Sequence, residues 1–265
     1  MQDTNNDYTF PWGFHLGDLY KMDSQSVPLY TTSEDGGFCL LYDKTSEKKV
    51  DNLLESLCLQ LLSTMPHESL KVEMFDFGKK KFYNLSPLQH IQVYENAFDE
   101  QQCSALFTRL ENMIISRYTD LLCCNRQTIN EHNQKSKLKQ MHHLVLINLE
   151  HFPQEDISLR RIQNFVESAQ KAGVYVIAFA NQEIQNNESQ VVQTILQHFK
   201  NIKVTQEEFN ITEDIFEFVE LLEDHTFEPL NLDKNNLMQK VLVNANLEQM
   251  MDPETIKLEE DTKVL

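Results

Sequence analysis

No run in the sequence approaches the roughly 18–20 uninterrupted apolar residues of a membrane helix, and the opening residues MQDTNNDYTF have neither the basic nor the apolar stretch of a secretory signal. A soluble cytoplasmic protein without membrane insertion is expected. A disulfide framework is also missing. The five cysteines, Cys39, Cys58, Cys103, Cys123 and Cys124, are odd in number and irregularly spaced, which suits a reducing compartment. Cys123 and Cys124 end a helical pattern, where buried thiols are the plain reading. No HExxH and no Cys/His pairing accompanies the nine histidines, among them His142 and His143, so no metal is expected.

Positive charge is scarce. Against 41 Asp and Glu stand 23 Lys and Arg, a net charge of −18. Residues 1–205 hold 19 basic and 25 acidic side chains (net −6), whereas residues 206–265 hold 4 and 16 (net −12). A general binder of phosphate backbones needs basic surface, so the chain as a whole is excluded from that class, though a local basic patch is not.

What is present is an alternation of strand and helix patterns. After a polar leader, residues 1–36, Phe38–Tyr42 has the pattern of a short buried strand. Val50–Met65 repeats leucines at helical spacing and stops near Pro66. Leu70–Phe77 alternates as a strand, Glu100–Leu122 is a long amphipathic helix, and Leu144–Ile147 is an apolar run of buried-strand length. Ile157–Ala172 gives another helix stopped by Gly173. Val174–Ala180 and Ile202–Val204 complete the strands. Strands separated by helices require right-handed crossovers and a mostly parallel sheet flanked by helices, an α/β architecture. In such sheets ligands sit at the carboxyl ends of the strands, here the loops after Tyr42, Phe77, Ile147 and Ala180.

Those loops carry a family resemblance over about residues 36–182. GGFCLLYDKTSEKKVDNLLESLCLQLL stands where a strand, P-loop and helix would be, and LKVEMFDFGKKKFYNL follows as a second strand with its turn. ALFTRLENMIISRYTDLLCCNRQTINEHNQ contains Arg117-Tyr118, Arg126 and Asn133. HHLVLINLEHF lies at a Walker B position, and AGVYVIAFANQE ends in Asn181-Gln182. In this order the segments resemble the RecA-like motor core of the FtsK/SpoIIIE/HerA superfamily, ATP-driven DNA translocases with relatives in conjugation and type VII secretion. The resemblance implies a RecA-like P-loop-type domain over residues 37–205.

The chemistry such a domain needs is eroded. In GxxxxGK[ST], glycines let backbone N–H groups wrap the phosphates, the Lys contacts the β and γ phosphates, and the hydroxyl binds Mg²⁺. Asp43 and Lys48 replace the glycines, Lys49 keeps the lysine place, and Val50 replaces the hydroxyl, with Thr45 and Ser46 inside the loop. At Walker B, Asn148-Leu149-Glu150 replaces an Asp-Glu pair. Lys49, Thr45, Ser46, Asn148 and Gln182 are thus the residues of a degenerate nucleotide site. Glu150 is its one catalytic carboxylate, provided a bulge brings it round. ATP and Mg²⁺ are not expected as working cofactors.

Lys79-Lys80-Lys81 is the one basic run, a contact for DNA or an acidic partner, or a plain solvated loop. Arg160-Arg161 and Lys135, Lys137 and Lys139 could form a small basic surface. The resemblance makes Arg117 and Arg126 either trans-acting arginines of a ring or members of structural salt bridges. Residues 206–265 are expected as an acidic helical extension. Gln206–Glu228 has nine carboxylates, no Lys or Arg, and Ile211, Ile215, Phe218, Val219 and Leu222 at helical spacing. Asp252–Leu265 is expected as a tail or docking peptide. The function expected is a non-catalytic subunit that scaffolds a DNA-processing, defence or secretion assembly. Its partners would be a basic protein at the acidic extension, a further copy or a motor subunit, and DNA. The alternative is an ATP-driven DNA translocase with an atypical site.

Overall fold

The computed structural model describes residues 8–21, 26–123, 125–153, 157–206, 208–223 and 225–245. In chain order its elements are β1 (Gly13–Tyr20), β2 (Val27–Thr32), β3 (Gly37–Tyr42), α1 (Glu47–Thr64), β4 (Leu70–Phe75), β5 (Tyr94–Ala97), α2 (Glu100–Ser116) and α3 (Ile129–Lys135). There follow β6 (His142–Asn148), α4 (Leu159–Ser168), β7 (Val174–Asn181), α5 (Gln190–His198), β8 (Lys200–Val204), β9 (Phe209–Asn210), the single-turn α6 (Glu220–Glu223), β10 (Thr226–Pro229) and α7 (Lys234–Asn244).

The main sheet has seven strands in the order β5-β4-β6-β7-β3-β8-β9. The first six are parallel and β9 adds antiparallel at one edge. Period-two alternation sorts the side chains of the central strands between two cores. Phe38 and Leu40 of β3, Leu144 and Leu146 of β6, and Ile177 and Phe179 of β7 face α1. Cys39, Leu41, Val145, Ile147, Val176 and Ala178 face α2, α4 and α5. Burial on both faces is what makes these strands continuous apolar runs. Each fully buried Leu or Phe contributes roughly 1.5–3 kcal/mol.

Gly37 opens β3 at φ +147°, and a Cβ there would lie 1.7 Å from the Val176 carbonyl oxygen. Only glycine lets β3 start pairing with β7 at this point.

The segment expected as a polar leader contributes two strands. β1 pairs with β2 and with β10 in a second, antiparallel sheet, β10-β1-β2. Phe14, Leu16, Leu19 and Leu29 of this sheet pack into the core on the α1 face. Thus residues far apart in sequence close over one side of α1, and α7 joins them through Val241.

The acidic helix expected over Gln206–Glu228 does not form. The segment holds β9, turns at Thr212, whose carbonyl accepts from the Ile215 and Phe216 N–H groups, the four-residue α6, and the start of β10. Helical spacing is overridden because β9 and β10 satisfy their backbone groups on β8 and β1, and Phe209 meets Phe227 at 5.4 Å between ring centroids. Asp252–Leu265 lies outside the described residues.

Candidate functional site at the carboxyl ends of the strands

The loop from β3 to α1 is four residues long, and it is filled by its own side chains. The Asp43 carboxylate accepts hydrogen bonds from the Thr45 N–H at 2.8 Å, the Thr45 hydroxyl at 2.6 Å and the Ser46 N–H at 2.9 Å. The Thr45 hydroxyl bond leads the set that holds this carboxyl below its ordinary range. The Ser46 hydroxyl donates to the Val204 carbonyl at 2.7 Å, tying the loop to β8. Loop N–H groups of the kind that would bind a phosphate are thus taken by a carboxylate of the chain itself.

Because α1 begins at Glu47, the rest of the P-loop-like stretch is helix. Val50, at the hydroxyl place, is fully buried in the α1 core. Lys49 lies in the first helical turn and donates its ammonium to the Gln206 carbonyl, just past the end of β8. The lysine at the P-loop place of the sequence pattern is therefore a tether to the segment after β8.

A different lysine stands at the strand ends. After β4 the chain turns through Phe77 (φ +51°) and Gly78 (φ +70°). Two successive left-handed residues return the Lys80 N–H to the Asp76 carboxylate. A phenylalanine at positive φ costs about 1–2 kcal/mol. The turn sends the Lys80 side chain inward, where its Nζ lies 2.6 Å from Glu47 Oε1 and 2.8 Å from Asp51 Oδ1. It also lies 5.0 Å from the centroid of the Tyr42 ring. Burial pulls the Lys80 pKa down, but Asp51 and Glu47 outweigh it and hold the group above the ordinary lysine range. Lys79 and Lys81 stay exposed, so the basic run expected as one surface is divided.

Asp76 is fully buried. Its Oδ1 accepts from Asn148 Nδ2 at 2.5 Å, and burial raises its pKa despite the Lys80 N–H and Asn148 bonds. Asn148 therefore satisfies a neighbouring carboxylate. Glu150 does reach the strand ends, by the turn after β6 rather than by a bulge within the strand. Its Oε2 lies 3.4 Å from the Tyr42 hydroxyl and 3.5 Å from the Asn181 N–H. Gln182 begins the 3₁₀ turn Gln182–Asn186 and is exposed.

Thr45, Ser46, Asn148 and Glu150 thus gather at one sheet end, where Lys49 is bound to the Gln206 carbonyl after β8 and Gln182 is exposed after β7. The sequence reading missed Lys80, Asp51 and Asp76 as the centre of the cluster. The signal available was the Asp76-to-Lys80 spacing across a turn. The charges there are Asp43, Glu47, Asp51, Asp76 and Glu150 against Lys80, a field that opposes a triphosphate.

Arg117 is buried. It starts the π-helical segment Arg117–Leu122 and donates to the carbonyls of Ala172 at 2.5 Å and Met141 at 2.6 Å. It is not part of a salt bridge among the described residues. Arg126 contacts His132 Nδ1 at 2.6 Å. Arg161 pairs with Glu111, and Lys135 pairs with Glu131, so the expected basic surface does not assemble with them. Cys39, Cys58 and Cys103 are buried and Cys123 is exposed, while Cys124 lies outside the described residues. His142 is buried, with its pKa lowered to about 4 by burial, and its Nε2 donates to the Tyr8 carbonyl. Among the described residues no group of three or more His, Cys, Asp or Glu is placed to hold a metal ion, and no helix is long and apolar enough to cross a membrane.

The sheet order and its covering helices define a RecA-like α/β fold, one shared with solved ATPase domains. Among solved structures, the chain is similar to ATPases 2 and 3 of EssC from Geobacillus thermodenitrificans, with a TM-score of 0.66 and 14% identity over 92% of this chain and 50% of that one. It is also similar to the pCW3 conjugation coupling protein TcpA in its monomer form with ATPgS (TM-score 0.57, 14% identity, 89% and 73% covered). A third is the cytoplasmic domain of the type VII secretion ATPase EccC from Thermomonospora curvata (TM-score 0.54, 13% identity, 74% and 22% covered). The chain spans about half the length of the EssC structure. No protein-family model and no curated protein matches the sequence.

Proposed function

We propose that the protein is a non-catalytic relative of these motors, a pseudo-ATPase that binds partners in a larger secretion, conjugation, defence or DNA-processing assembly. The observation that carries this reading is the filled strand-end site. The Asp43 carboxylate takes the loop N–H groups, and the Lys80 ammonium sits between Glu47 and Asp51. Internal charges of both signs occupy the positions where a phosphate and its lysine would meet. Val50 in the core removes the hydroxyl that would hold Mg²⁺.

The partner surface we assign is the acidic stretch around residues 213–220, where Glu213, Asp214, Glu217 and Glu220 are exposed beside Phe218. A basic segment with an apolar anchor complements it.

Glu150 supports a second reading, an atypical ATP-driven translocase, because it puts a carboxylate beside Tyr42 and Asn181. One phosphate-release assay separates the two. The pseudo-ATPase shows no Mg-ATP turnover above buffer, with or without duplex DNA. Turnover that is lost in Lys49→Ala or Glu150→Gln overturns it.

A further inference from the structure

The opposite edge of the main sheet holds a cleft that the strand-end chemistry does not explain. It is about 1020 Å³ in volume and lies where β4 and β6 begin, closed by the loops before them and by Arg117. In a chain of net charge −18 this cleft is basic. Lys71, Arg117, Lys137 and Lys139 line it, together with three histidines, and Glu68 is its one carboxylate among the described lining residues.

The charges of this cleft differ in how they are met. Lys71 is paired with Glu95 at 2.6 Å. Arg117 is 5% exposed, and its described hydrogen bonds go to two carbonyls; burial lowers its pKa to about 10. The nearby Glu73 carboxylate offsets that lowering only in part, so the buried guanidinium retains a desolvation cost that an anion would relieve. Lys139 donates to the Asn133 carbonyl, and Lys137 is exposed with no pairing carboxylate among the described residues. Tyr8 and Leu138 supply an aromatic and an aliphatic wall beside these cations.

We propose that this cleft binds a small molecule carrying two or more phosphates and an aromatic or apolar part, a nucleoside polyphosphate. Lys and Arg side chains lining one depression match phosphate oxygens. The volume suits one such ligand, and the mixed lining gives its base a surface. A nucleic-acid strand fits less well. It needs an extended basic surface, which a chain of net charge −18 does not favour, whereas these cations line one depression. The site is separate from the strand ends and goes beyond the pseudo-ATPase reading.

Calorimetric titration of the full chain with inorganic tripolyphosphate and with magnesium-free ATP tests it. Both should bind competitively at one site, ATP the tighter. The double variant Lys137→Glu with Lys139→Glu should weaken both by about tenfold or more, since it reverses two exposed charges at the cleft. Lys49→Ala should leave binding unchanged. Absence of heat with both probes, or binding indifferent to the lysine reversals, overturns the proposal. So does a single-stranded oligonucleotide that displaces ATP at lower concentration with a steeper salt dependence. If Lys49→Ala abolishes binding, the ligand sits at the strand ends and the cleft is not its site.

Discussion

Lys80 Nζ lies 2.6 Å from Glu47 Oε1, so a residue of the loop after β4 is bound to the first turn of α1, across the end of β3. The contact locks together the two loops between which a RecA-like fold would admit a nucleotide. Lys80→Met removes the one cation of the cluster and leaves Glu47 and Asp51 facing each other. Glu47 is half exposed, so solvent screens part of the loss, and the expected cost is roughly 1–3 kcal/mol at pH 7. Burial already raises the Asp51 pKa. The deficit should shrink as pH falls and that carboxyl takes up a proton. Urea denaturation at pH 7 and pH 5 measures both effects, and an equal deficit at the two pH values would contradict the assignment.

Asn148→Asp restores a Walker B carboxylate in sequence, but it places that carboxylate against buried Asp76, whose Oδ1 now accepts from Asn148 Nδ2. Two carboxylates in one buried site cannot both stay ionised without cost. The variant should lose about 2–4 kcal/mol at neutral pH. It should regain part of that loss in mild acid, when one shared proton bridges the pair. Thermal denaturation with and without Mg²⁺ checks this. A large Mg²⁺-dependent rescue would mean the site can still hold a metal.

Rebuilding the loop with Asp43→Gly, Lys48→Gly and Val50→Ser should not produce an ATPase. Val50 is fully buried, so its replacement by serine puts a hydroxyl into the α1 core at roughly 2–4 kcal/mol. Lys80 would still block the strand ends. Measurable phosphate release from this triple variant would show that the filled site is not what prevents turnover.

Glu73 on β4 is fully buried and bound to His143 Nδ1 at 2.8 Å and Arg109 at 2.9 Å. Burial alone raises its pKa, but His143, Lys71 and Arg109 outweigh it, and the folded carboxyl lies below its ordinary range. The unfolded state therefore binds more protons in acid. The stability from Glu73 is present above about pH 4.3 and is lost as pH falls through the folded value. Glu73→Gln should cost about 2–4 kcal/mol at pH 7 and flatten the stability profile below pH 5. Chemical denaturation across pH 3–7 reads the slope, and an unchanged acid limb would show that other carboxylates set it.

Much of the main sheet was legible in the sequence because its strands are buried on both faces. Leu144–Ile147 and Val174–Ala180 carry no polar interruption, and few structures other than a covered parallel strand allow that. The short edge strand β5, Tyr-Glu-Asn-Ala, gives no such signal, because its pairing to β4 alone defines it. The strands β1, β2 and β10 were hidden for a related reason. β1 pairs with its neighbour β2, but β10, which completes their sheet, lies about 200 residues further on, and nothing local distinguishes 226–229 from the helical spacing around it.

The amino-acid sequence by itself determined the α/β architecture and the residue types at its strand ends, among them Asp43, Lys48, Val50 and Asn148-Leu149-Glu150. These are properties of residue type and period, which survive without coordinates. Only the tertiary structure decided that Lys49 is bound to the Gln206 carbonyl while Lys80 sits between Glu47 and Asp51, and that Lys71, Arg117, Lys137 and Lys139 line one cleft where β4 and β6 begin. Side-chain direction there depends on where a turn of two left-handed residues releases the chain. Charge partners depend on which loops the sheet order brings together, and neither is written in local spacing.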